Sequence, residues 1–101
     1  METRLKLHSK LVDILGSNNV YFQPGPNVKL TYPCIVYELS NGDTQFADNK
    51  SFAYYDRYQI KIIGRDPDSD IRLKVKELPM CLFDRRYIAD NLYHDIFNIY
   101  V

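Results

Sequence analysis

The sequence predicts an α+β fold: an antiparallel or mixed β-sheet of about four or five strands, two helices packed on one face, and a mobile hairpin or loop beside it. Three observations carry this reading. Residues 51–64 alternate, with Phe52, Tyr54, Tyr58, Ile60 and Ile62 on one side of an extended chain and Ala53, Tyr55, Arg57, Gln59 and Lys61 on the other, until Gly64 stops the pattern. One apolar and one mixed face belong to a strand covered mainly on one side, and we take it as the central strand. Two other segments carry apolar residues at helical spacing between capping and breaking residues, and several short β-branched and aromatic runs are separated by turn residues.

Taken in order, Thr3 is placed to cap a first helix over about 3–16. Its stripe is Leu7, Leu11, Ile14 and Leu15, with Leu5 and Val12 flanking, and Gly16 lets the chain leave. His8 lies beside that stripe with no second His or Cys nearby, which reads as a structural histidine, because metals need several converging donors. Val20, Tyr21 and Phe22 suit a short strand. Pro24, Gly25, Pro26 and Asn27 form a turn or loop. Residues 32–39 read as a buried strand, with Pro33 near the start and Cys34, Ile35, Val36 and Tyr37 continuously apolar.

Asn41-Gly42 favours a primed turn, so 44–47 either returns as a hairpin partner of 32–39 or belongs to a loop reaching Lys50. Asp66, Asp68, Asp70 and Glu77 imitate the acidic positions of a calcium loop. However, Ile71 stands where the sharp turn needs Gly, Lys74 occupies a ligand position, and Pro67 stiffens the start. The plainer reading makes Asp66, Asp68 or Ser69 the cap of a second helix running to about Leu78, with Ile71, Val75 and Leu78 inward and Pro79 ending it. Strands at 80–89 and 94–101 follow as a hairpin around residues 90–93, with Phe97, Ile99 and Val101 inward.

With 101 residues and 46% hydrophobic content, the chain is one domain, 1–101, with one core. Thirteen basic and thirteen acidic side chains cancel, which argues against long-range attraction to nucleic acid or an anionic membrane and points to protein partners. No apolar run approaches the roughly 20 residues of a bilayer span. The amino-terminal residues show no apolar signal region, and Cys34 and Cys81, without paired spacing, read as reduced core thiols. Nine Tyr, five Phe and no Trp are more aromatic surface than a small core hides, and tyrosine suits protein interfaces.

Catalytic chemistry finds little footing. His94-Asp95 is the one His–acid neighbour pair, and consecutive strand residues point to opposite faces, so the carboxylate cannot orient that ring. No acid pair stands out, and neither a glycine-rich phosphate loop nor a metal-ligand cluster is present. Arg85-Arg86 on a strand sends one guanidinium to each face.

The runs 55–71 and 78–100, most clearly Asp66-Pro67-Asp68-Ser69, Phe83-Asp84-Arg85 and Ala89-Asp90-Asn91-Leu92, resemble small tail-terminator (tail-completion) proteins of long-tailed bacteriophages, also described as minor structural or head–tail joining proteins. The likeness covers about 32–101, and the first helix agrees only in kind. It implies a virion structural protein, without catalysis or cofactor. Copies of it would form a ring, hexameric in that family, that caps the head-proximal end of the tail tube and joins it to the head connector.

The implied partners are other copies of the chain, the tail tube protein and head–tail connector proteins. DNA passes through the lumen without sequence-specific binding. Made in the host bacterial cytoplasm, the protein would reside in the virion tail or neck. The alternative among virion proteins is a neck connector or stopper between portal and tail. From other classes, a small hydrolase requires a nucleophile in a pocket, and an inhibitor or host-interaction protein requires a stable monomer. A ring needs two different surfaces that meet and close. The candidate interface residues are Phe46 and Asp48 on the 40–50 loop, Tyr55 and Arg57 on the mixed face of the central strand, and Arg85 and Arg86 on the penultimate strand.

Overall fold

A computed structural model describes residues 2–40 and 56–101. Residues 41–55 lie outside the described residues, and with them Phe46, Asp48, Tyr55, the expected loop or hairpin and the first part of the expected central strand. The side chains of Glu2 and Thr3 lie outside them too, so the expected Thr3 cap is not placed.

The sheet has five strands: β1 (Val20–Phe22), β2 (Cys34–Leu39), β3 (Arg57–Gly64), β4 (Cys81–Ala89) and β5 (Leu92–Tyr100), in the order β1-β2-β3-β5-β4. Two helices, α1 (Glu2–Leu15) and α2 (Asp70–Lys76), cover one face. The sheet is mixed because β1 runs parallel to β2 while every other pair is antiparallel. β3 is its middle strand, as its alternation requires. Tyr58, Ile60 and Ile62 are buried against the helices, and Arg57, Gln59 and Lys61 point to the opposite face.

The main core joins Leu7 and Leu11 of α1 and Val75 of α2 to Ile35, Tyr37, Ile60, Phe97 and Ile99 of the sheet. Leu5 is exposed, so the stripe of α1 is narrower than its sequence suggests. Gly16 ends α1 at φ 79°, its N–H donating to the Val12 carbonyl at 2.8 Å; a left-handed residue costs glycine nothing. The second face has a smaller cluster of Cys34, Ile63 and Leu92, against which Leu30 and Tyr32 of the β1–β2 connection pack.

Several boundaries differ from expectation. β2 begins at Cys34, not at 32, because the chain up to Tyr32 folds onto the second face and Pro33 has no N–H to give a ladder. β5 begins at Leu92, two residues early. Asp90 and Asn91 both take positive φ, 55° and 62°, so the hairpin turns in two residues. α2 stops at Lys76, Glu77 being its C-cap, with Leu78 N–H bonded back to the Val75 carbonyl.

Of the three proposed caps of α2, Ser69 is the one used. Its hydroxyl accepts from the Ile71 N–H at 3.2 Å, while the Asp66 carboxylate accepts from the Asp68 N–H at 2.9 Å. The acidic run therefore shapes a helix start. His8 is held from within: its Nδ1 shares a hydrogen bond with the Tyr37 hydroxyl at 2.7 Å, and that hydroxyl accepts from Arg4 at 3.1 Å. Burial, and then the Arg4 charge, push the His8 pKa below its ordinary value.

Candidate functional site

β4 is an edge strand. Nine residues long, it pairs with β5 on one side and with no strand on the other among the described residues. Its seven interior residues, Leu82 to Ile88, are all exposed. Four carry large apolar groups: Leu82 and Ile88 are each 64% exposed, Phe83 and Tyr87 less so. Next to the strand, Met80 is half exposed at φ 59°.

The pairing register assigns these groups to faces. Up to Phe83, β4 pairs with β5 so that Phe83 lies opposite Phe97 on the helix-covered side. A bulge at Asp84 then shifts the register, placing Arg85 opposite Ile96 and Arg86 opposite Asp95. As a result Phe83, Arg86 and Ile88 share the helix side, and Leu82, Arg85 and Tyr87 share the other. Exposed apolar groups thus stand on both faces of the outermost strand. An unpaired ladder edge of this kind offers backbone N–H and C=O groups that are able to pair with an added strand.

The strand is firmly mounted. Phe83 meets Phe97 edge-on at 5.3 Å, and Tyr87 stacks on His94 at 4.7 Å with the rings 9° from parallel. Arg86 reaches Asp95 through Nε at 2.6 Å and a terminal nitrogen at 3.1 Å, and donates to the Pro67 carbonyl at 2.9 Å, tying β4 to β5 and to the turn before α2. Its hydrogen bonds to Asp95 raise the Arg86 pKa. Asp95 is otherwise buried, so its carboxylate depends on that guanidinium.

Each candidate residue within the described chain now has a place. Arg85 and Arg86 sit on β4 on opposite faces, as strand alternation predicts, but they do different things. Arg85 points out beside Asp84, at 3.3 Å, while Arg86 is a tie within the domain. Arg57, at the start of β3, donates through Nε to the Ser40 carbonyl at 2.8 Å and through a terminal nitrogen to the Ser40 hydroxyl at 3.0 Å, clamping the two points between which 41–55 runs. Leu82, Tyr87 and Ile88 carry no sequence signal that marks them as interface residues, and Phe83 enters only through the Phe83-Asp84-Arg85 run. A hairpin placed tightly on Asp90-Asn91 would have given the Arg86–Asp95 pairing, but their exposure depends on β4 lying outermost, which no local pattern encodes.

Among the described residues, the His94-Asp95 pair and the two cysteines are not arranged as a nucleophile and its base. His94 and Asp95 point to opposite faces, His94 donating from Nδ1 to the Leu92 carbonyl at 3.1 Å while Asp95 binds Arg86. The Cys34 and Cys81 thiols are free, and burial pushes each up to about 11, leaving almost no thiolate at neutral pH. A cavity of about 250 Å³ beside α2 is lined by Arg65, Ser69, Arg72 and Asp95, where Ser69 is the helix cap and Asp95 is paired. Among the described residues no group of His, Cys, Asp and Glu converges to hold a metal, and no helix is long and apolar enough to cross a membrane. Comparison with protein-family models, with curated proteins and with solved structures yields no match.

Proposed function

We propose that this chain is a structural protein of a phage virion, whose copies form a ring that caps the head-proximal end of the tail tube and joins it to the head connector. The observation that carries the reading is β4: nine residues of outer strand with exposed Leu82, Phe83, Tyr87 and Ile88 divided between its two faces. Soluble domains that work alone blunt such edges with charges, prolines or short strands. Here the bulge and the Asp84–Arg86 charges interrupt the strand centre, and both ends stay apolar. Buried on both faces by a neighbour, these side chains would give a continuous contact, and a second, different surface of the same chain would make it head-to-tail. The resemblance at Asp66–Ser69, Phe83–Arg85 and Ala89–Leu92 supplies the assembly to which such a ring belongs.

The test is the phenotype of particles assembled without the protein. A ring that ends tube growth predicts overlong tails by electron microscopy. Tails of normal length on heads that leak DNA would instead identify a stopper between portal and tail, and particles normal in both respects would refute a virion role.

A further inference from the structure

The hairpin of β4 and β5 has unlike ends. At one end, where the Tyr100 N–H donates to the Met80 carbonyl, an apolar groove of about 200 Å³ runs between α1, the α2–β4 turn and the end of β5. Leu7 and Ile99 form its buried floor, Leu78 and Met80 a wall, and Lys6 and Lys10 its rim. The two lysines are one helical turn apart, about 6 Å along the axis, and both are exposed. Neither meets a carboxylate among the described residues. The groove is smaller than the roughly 300–1,000 Å³ of small-molecule sites, and its size suits one aliphatic side chain.

At the other end the strands turn through Asp90 and Asn91, and Ile88, just before that turn, is 64% exposed on the helix side. Asp90 is exposed and meets no basic side chain among the described residues. The nine residues of β4 hold the two ends about 25–30 Å apart, so Ile88 cannot enter the groove of its own chain. Charge follows the same axis. Gly64 lies opposite Tyr93, which brings the following residues 65–70 to the turn end as well. There the exposed Asp66, Asp68, Asp70 and Asp90 outnumber Arg65 and Arg72, while Arg86 is spent on Asp95. At the groove end Lys6, Lys10 and, in the last turn of α2, Lys74 and Lys76 outnumber Asp56 and Glu77. A chain of zero net charge is thus acidic at one end and basic at the other.

We propose that the Lys6–Lys10 groove of one copy receives Ile88 from the next copy, with Asp90 of that copy set against the two lysines. This rests on the ring reading and supplies its two unlike surfaces, an acidic apolar donor and a basic apolar acceptor. Because they stand at opposite ends of one hairpin, each copy offers the donor to one neighbour and the acceptor to another. The Ile88 side chain supplies the buried contact, and the carboxylate fixes its register through charge-assisted hydrogen bonds.

The experiment mixes ordinary and ¹⁵N-labelled full-length chains, measures assembly mass, and couples touching amines and carboxylates with a carbodiimide before peptide mass spectrometry. Expected are Lys6 or Lys10 joined to Asp90 in peptides of mixed isotope. These links should fall about tenfold or more in Ile88→Ser, which keeps the charges and removes the apolar contact. The Lys6→Glu, Lys10→Glu double variant and Asp90→Lys should each lose assembly alone and regain it when mixed, since each then offers the other an opposite charge. Closed rings without these links would overturn the groove assignment while leaving the ring reading standing. Open polymers joined by them would uphold the groove and overturn the ring, and a monomer would overturn both.

Discussion

Replacing Arg86 by Met keeps most of the volume of the side chain but strands the Asp95 carboxylate, whose side chain is 7% exposed against 31% for Arg86. The lost pair comprises two charge-assisted hydrogen bonds, at 2.6 and 3.1 Å, and a third bond to the Pro67 carbonyl disappears with it. Removing one partner of a fully buried pair costs about 3–5 kcal/mol, and the partial exposure of Arg86 admits water that reduces this, so about 2–3 kcal/mol is expected. In urea, monitored by far-ultraviolet circular dichroism, that loss lowers the midpoint by about 1–2 M without changing the slope. Adding Asp95→Leu removes the stranded charge and should restore all but about 1 kcal/mol. A double variant as unstable as the sum of its single variants would refute the reasoning, because it would mean the two groups are not coupled.

Leu82→Lys combined with Ile88→Lys alters two side chains that are each 64% exposed, so melting should move little while the assembled species disappears from sedimentation profiles; retained assembly would remove β4 from the interface. Ile60→Ala empties a fully buried site at the sheet centre and should cost about 3 kcal/mol, lowering the melting temperature by at least about 12 °C in calorimetry. His8 has a folded pKa below its unfolded value, so the unfolded chain takes up a proton first as pH falls. The stability it supports is present above about pH 6.5 and is lost as pH falls toward the lower folded pKa. The wild-type chain should therefore lose more stability between pH 7.5 and 5.5 than His8→Gln, and equal losses in paired melts would contradict this.

What the sequence makes legible is burial set by local periodicity. The alternation of Tyr58, Ile60 and Ile62 gives both the strand and its face, and Leu7, Leu11 and Val75 give the helix faces, because period two and period 3.6 each fix a side. Sheet order is not local. The run from Cys81 to Ala89 is apolar at both ends around the charged Asp84-Arg85-Arg86, a local pattern that does not say where in the sheet it sits; it lies outermost because β5 returns against β3 and leaves β4 with one neighbour. The parallel placement of β1 on β2 likewise depends on how residues 23–33 cross the second face, which no spacing announces. For the candidate site, alternation separates Arg85 from Arg86, but only the register across the two-residue turn turns Arg86 toward Asp95. Arg57 reads as a mixed-face residue, and its grip on Ser40 follows from hairpin closure.

The proposed ring requires copies of this chain to close on one another through unlike surfaces. Sedimentation equilibrium of the purified protein across a wide concentration range measures that directly. The prediction is a single closed multiple of the 11.9 kDa chain that grows no further once formed. A mass that stays at one chain throughout, or one that climbs without limit, would contradict it.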